Sequence, residues 1–103
     1  MIRNVQGFDW DAANIDKCEK HGVSIETIED VFTRPLQILG DVRHSNLEER
    51  YIAVSTMSDG RGIFVGFTYR PGKRGLLIRP ITARYMHKRE LAKYEKAVAH
   101  AKQ

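Results

Sequence analysis

The sequence predicts an α+β domain in the order β-α-α-β-β-β-β-α, with one antiparallel sheet of about four to five strands packed by two N-terminal helices and one C-terminal helix. Three observations carry this. Residues 11–34 space their apolar side chains as helices do, residues 36–82 switch to a period of two with hairpin joints, and helical spacing returns from about residue 86. A length of 103 residues, of which 42% are hydrophobic, provides one core, so residues 1–103 are expected to form a single domain.

Phe8 and Trp10 alternate with Asp9, the pattern of a short edge strand. Asp11 to His21 reads as the first helix, with Ala12, Ile15 and Cys18 on one stripe. Lys17, Lys20 and His21 at its end suit the helix dipole, and Gly22 is placed as its left-handed cap. Ser24 caps a second helix in which Val23 and Ile28 occupy staple positions and Ile25, Ile28, Val31 and Phe32 form the buried stripe. Pro35 forbids its continuation. Leu36 to Leu39, Tyr51 to Met57, Ile63 to Arg70 and Leu76 to Thr82 then read as strands. The last three are joined by Ser58-Asp59-Gly60-Arg61-Gly62 and Pro71-Gly72-Lys73-Arg74-Gly75, turn compositions that predict an antiparallel meander. Pro80 inside the last strand requires an edge position or a bulge there. From about Met86 to Ala101, Leu91, Tyr94, Val98 and Ala101 make an apolar helical stripe, and Arg89, Lys93, Lys96 and His100 a basic one.

The formal charge is +4 and the pI is near 9.4. Residues 1–69 carry 7 Lys and Arg against 11 Asp and Glu, whereas residues 70–103 carry 10 against 2. Either the C-terminal third meets an anionic partner or the two parts neutralise each other. One cysteine excludes an intramolecular disulfide framework and fits a reducing compartment. The longest uncharged apolar run, Ile63 to Tyr69, falls far short of the roughly 20 residues of a membrane helix. With Arg3 and polar residues at the start there is no signal-peptide pattern, so a cytoplasmic location without membrane contact is expected.

Glycine-rich phosphate loops and dinucleotide fingerprints are absent. Asp9 and Asp11 form a tight carboxylate pair, but they sit where a helix begins and read as capping residues. Cys18 and His21 lie three apart without a second ligand pair of matching spacing, so neither a metal nor a cofactor is expected. The loop Asp41 to Arg50 gathers His44, Ser45, Glu48, Glu49 and Arg50 directly before a strand, and loops on rigid scaffolds often carry sites. Its plain alternative is a solvated loop with weak surface pairs. A second cluster comprises Arg70, Lys73, Arg74, Arg79, Arg84, His87, Lys88 and Arg89. Arg79 and Arg84 belong to a strand or its end, and a guanidinium fork suits phosphate. With Tyr69, Tyr85 and Tyr94 nearby, the cluster fits single-stranded RNA, whose bases stack and whose phosphates need cations. The competing reading is a basic helix docked on the acidic N-terminal part.

Phe8-Asp9-Trp10-Asp11, Lys20-His21-Gly22-Val23-Ser24, His44-Ser45 followed by Glu48-Glu49-Arg50, and Thr82-Ala83-Arg84 with Glu90, Tyr94 and Glu95 occur in that order. This ordered set resembles the BrnT family of type II toxins over about residues 7–96. The resemblance implies a RelE-like fold and a metal-independent endoribonuclease that cleaves cellular RNA and inhibits growth. It also implies neutralisation by a BrnA-like antitoxin, with operator DNA contacted only indirectly through that antitoxin. Matched by motif, His44, Glu49, Arg50 and Arg84 are the expected catalytic residues, and Arg70, Lys73, Arg79, His87, Lys88 and Tyr94 the expected RNA contacts. The sequence departs from the family pattern at Ser55, where relatives often carry glycine, and at His87, where threonine or serine often caps the last helix. The first bears on local sheet geometry, the second on where that helix starts. RNA cleavage through its own 2′-hydroxyl needs a base, an acid and cations on the phosphorane. Histidine exchanges protons near ~pH 6.5 and arginine stays charged. Glu49 fits two roles, as the base itself or as the group that orients His44 or Arg50. The alternative from another class is a non-catalytic RNA-binding module or a corepressor subunit of an antitoxin complex.

Overall fold

The computed structural model describes residues 5–40 and 49–101. Its elements are β1 (Val5–Phe8), α1 (Ala12–Glu19), α2 (Ile25–Val31), β2 (Gln37–Gly40), β3 (Tyr51–Thr56), β4 (Gly62–Pro71), β5 (Leu76–Tyr85) and α3 (Lys88–Ala101). The α+β order expected from the periodicities is the order observed. The sheet runs β1-β5-β4-β3-β2, with β2, β3, β4 and β5 antiparallel in sequence order. β1 adds the one parallel pairing, Phe8 opposite Ile78, which makes the five-stranded sheet mixed.

Local signals act as expected at the N-terminal helices. Asp11 accepts from the Asn14 backbone N–H at 3.1 Å, while Asn14 Oδ1 accepts from the Asp11 N–H at 2.7 Å, a closed capping box. Trp10 lies beyond the strand, and its indole N–H donates to Glu29 of α2 at 2.9 Å. α1 ends at Glu19, two residues before His21, and Gly22 takes the left-handed φ of 79° that L side chains rarely adopt. Ser24 caps α2 by accepting from the Thr27 N–H at 3.1 Å, and Val23 and Ile28 are both buried.

Both short helices cover one face of the sheet. Cys18, Val23, Ile28, Val31 and Phe32 meet Ala53, Ile63, Val65, Phe67, Ile78 and Ala83 in a single core. Phe67 is its centre: its ring lies 5.1 Å from Phe32 and 5.4 Å from Tyr69, edge to face in both cases. Ser55 belongs to this buried face, and its hydroxyl donates to the Pro35 carbonyl at 2.9 Å. The polar side chain at that position therefore ties β3 to the end of α2.

Pro80 is accommodated by a bulge rather than by an outer position, since β5 lies between β1 and β4. Gly66 pairs with Thr82 and Phe67 with Pro80, leaving Ile81 as the extra residue. β1 stops opposite Ile78, short of the proline, and Asn14 Nδ2 donates to the Pro80 carbonyl at 2.8 Å. α3 lies across the end of the opposite sheet face. A Cβ on Gly62 would collide with Met86 and reach Leu91, so glycine permits that close approach.

Candidate active site

A cleft of about 360 Å³ opens between the end of α1 and the start of β3, next to the bulge. Lys17, Lys20 and His21 line it from the α1 side, Tyr51 from β3 with Arg50 just before it, and Gly66, Phe67, Ile81 and Thr82 from the paired strands. Lys17, Lys20 and His21 are exposed, whereas Arg50 and Tyr51 are half-buried. The cleft is thus edged by four side chains able to carry positive charge and floored partly by backbone. Gly66 keeps that floor open, because a Cβ there would stand only 3.1 Å from Thr82 Cγ2. At the rim, the Tyr51 hydroxyl donates to Glu49 Oε2 at 2.5 Å, and the same carboxylate holds the phenol's pKa above its ordinary value. The Glu49 backbone is pinned too, its carbonyl accepting from the Thr68 hydroxyl at 2.6 Å.

The residues expected from sequence divide around this cleft. His44 lies outside the described residues. Arg50 lines the cleft and Glu49 borders it through Tyr51. Arg84 is elsewhere, in the row Val54–Phe64–Arg84 across the sheet. Its guanidinium forks onto Glu90 with two bonds of 2.8 Å and sits 4.7 Å from the Phe64 ring centroid. Glu90 also accepts from the His87 N–H at 2.9 Å, and Arg84 with that N–H holds the carboxyl pKa down at about 2. The Arg84–Glu90 pair therefore fixes the start of α3, half of a capping box with His87 at the cap.

Among the expected RNA contacts, Arg79 is turned inward. It meets Asp11 at 3.0 Å and Asp9 at 3.5 Å, and Asp11 is held below the ordinary carboxylate range chiefly by the Asn14 N–H and then by Arg79. Lys73, His87 and Lys88 are exposed, and Arg70 is half-buried at the end of β4. Tyr94 is half-buried, with its hydroxyl 3.5 Å from the Val54 carbonyl, in a second groove of about 550 Å³ between α3 and Arg34, Pro35 and Thr56. Of the two readings of the charge asymmetry, internal neutralisation holds in part. Arg79 neutralises N-terminal aspartates, while the exposed cations of α3 and the β4–β5 turn remain on the surface.

Lys17, Lys20 and His21 line this cleft, although sequence reasoning assigns them to the helix dipole, and His21 also to a rejected metal pair with Cys18. The signal that would have found them is the spacing of Lys20 and His21 from Lys17, three and four residues on, which in a helix and its closing turn falls on one side. Cys18, between them, points the other way into the core, where burial pushes its thiol up to about 11.

A family model described as ribonuclease toxin, BrnT, of type II toxin-antitoxin system matches residues 10–90. The chain belongs to the BrnT family. No curated protein matches it. The matched BrnT span includes α1, α2, β2 to β5 and every residue lining the cleft, together with Glu49, Arg84 and Glu90. β1, and α3 beyond Glu90, lie outside the BrnT match, as does Tyr94. Among the described residues, no helix is long and apolar enough to cross a membrane.

Proposed function

We propose that this chain is the ribonuclease of a type II toxin–antitoxin pair, cleaving cellular RNA in the cytoplasm without a metal and silenced by a BrnA-like antitoxin. The observation that supports this most is the cleft itself, where cations from α1 and Arg50 stand beside the Glu49–Tyr51 pair. RNA carries its own nucleophile in the 2′-hydroxyl, so the enzyme has to supply proton transfer and charge neutralisation, both within the reach of these side-chain types. Glu49 acts on the 2′-hydroxyl proton and Arg50 on the phosphate, with His44 a further proton carrier from the loop that precedes them. Arg84 is assigned a positioning role through Glu90, which sets the first turn of α3. Arg70, Lys73, His87, Lys88 and Tyr94 extend the RNA track beyond the cleft. Operator DNA is met only through the antitoxin.

The test is cleavage of a labelled RNA by the purified chain in EDTA, beside growth after induction with and without the co-expressed neighbouring open reading frame. Cleavage in EDTA, arrested growth and rescue by a co-purifying neighbour are expected. Activity that disappears in EDTA removes the metal-free mechanism. A chain that binds RNA without cutting it is instead the non-catalytic module.

A further inference from the structure

Glu49 stands just outside the regular ladder of the sheet. The β3–β4 register ends with Tyr51 opposite Phe67, and from there a side chain continues the connection. Thr68, one residue further along β4, donates its hydroxyl to the Glu49 carbonyl at 2.6 Å. Thr68 is 3% exposed, and a hydroxyl buried in a strand costs free energy unless it is hydrogen-bonded, so valine would serve packing alone. The carboxylate of Glu49 is held as well, since its Oε2 accepts from the Tyr51 hydroxyl at 2.5 Å. Tyr51 is in turn fixed by rings of β4, its centroid 5.6 Å from Phe67 and 5.4 Å from Tyr69. Main chain and side chain of Glu49 are thus both tied back to β4, although Glu49 itself is exposed.

We infer that Thr68 is a positioning residue of the ribonuclease: by holding the Glu49 carbonyl, its hydroxyl keeps the Glu49 carboxylate at the rim of the cleft, next to Tyr51. The inference rests on the ribonuclease reading above, in which Glu49 takes up the 2′-hydroxyl proton. A base works only within hydrogen-bond reach of its proton, and a misplacement of ~1 Å costs on the order of 10²-fold. Without the Thr68 hydroxyl the Glu49 carbonyl turns to water, the peptide before β3 rotates more freely, and the carboxylate meets Tyr51 less often. Thr68 handles no proton of the substrate; it acts through Glu49. The Tyr51 phenol reports that placement without any RNA, because its bond to Glu49 is the chief cause of its raised pKa.

The experiment compares wild type with Thr68→Val, which keeps the β-branched shape, with Thr68→Ser, which keeps the hydroxyl, and with Val31→Ala, which opens the buried core under α2 and serves as the stability control. Three quantities are measured: kcat and KM for a short single-stranded RNA, the Tm, and the Tyr51 titration. The last is followed by carbon-13 NMR of ring-labelled tyrosine, with the Tyr51 signal assigned by its absence in Tyr51→Phe. Thr68→Val should lower kcat ~10–100-fold at little-changed KM and bring the Tyr51 pKa down toward its ordinary value. Thr68→Ser should restore both to near wild type. Val31→Ala should melt at least as far below wild type as Thr68→Val does, yet move neither the titration nor a kcat measured well below its Tm. A Thr68→Val protein with wild-type kcat and titration overturns the inference, as does a serine variant that restores neither. An equal loss of kcat in Val31→Ala makes Thr68 a structural residue only. A shifted titration at unchanged kcat also overturns it, by removing Glu49 from the chemistry while the ribonuclease reading stands. A wild type that cleaves no RNA overturns the ribonuclease reading and the use of Thr68 in it, and the titration still decides whether Thr68 places Glu49.

Discussion

Asn14→Ala removes a buried amide that joins three segments, and its cost can be worked from the contacts. The side chain is 3% exposed. Its Nδ2 donates to the Pro80 carbonyl at 2.8 Å and to the Asp9 carbonyl at 2.9 Å, and its Oδ1 accepts from the Asp11 N–H at 2.7 Å. The bond to Pro80 is buried, so losing it strands a carbonyl at ~1–3 kcal/mol, while the two part-buried bonds are worth ~0.5–1.5 kcal/mol each. Together these give a loss of about 3 kcal/mol, partly offset if water reaches Asp9 and Asp11. For a domain of this size that lowers Tm by roughly 15 °C. Urea unfolding followed by far-UV circular dichroism should show a lower midpoint at unchanged m. Asn14→Asp keeps the acceptor for Asp11 but offers no donors, so it should lose at least as much near pH 7. Because this amide seats α1 against the bulged strand, RNA cleavage should fall with stability in both variants. A loss below ~0.5 kcal/mol for Asn14→Ala would refute the idea that this bridge anchors α1 to β5.

Phe67→Ala empties the centre of the core and should cost ~3–5 kcal/mol, measured by the same unfolding curve. Glu90→Gln should flatten acid unfolding: the Arg84-bound carboxyl sits at about 2 against an ordinary 4.5, so its contribution is complete above pH 4.5 and is lost as pH falls through about 2. Thermal melts between pH 5 and pH 2 should therefore converge for wild type and variant at the acid end. Cys18, buried and with its thiol raised to about 11, should resist alkylation at pH 8 until denaturant is added, and rapid labelling of the folded chain would contradict its place in the core. Gly66→Val forces side-chain atoms against Thr82 and into the cleft wall, and should reduce RNA cleavage more than it reduces Tm.

Much of this fold is written in short-range chemistry. Asp11, Ser24 and Gly22 mark helix ends because caps satisfy backbone groups within three or four residues, and the structure places each where that logic requires. The meander is legible because a period of two and glycine-rich joints are local too. Pro80 announced an irregularity, and local sterics left a bulge as one of its two solutions. What the sequence could not convey is which distant groups meet. β1 joins β5 across some seventy residues, and nothing in its four residues names that partner. Arg79 and Arg84 read alike, as cations on a strand, yet one closes on Asp9 and Asp11 and the other on Glu90. Conversely, Lys17, Lys20 and His21 read as ordinary helix-end charge until the sheet brought Arg50 to the same cleft. Periodicity determines which face a side chain occupies; whether its charge is neutralised or left facing a cleft depends on carboxylates placed by tertiary packing, and only the folded chain decides that.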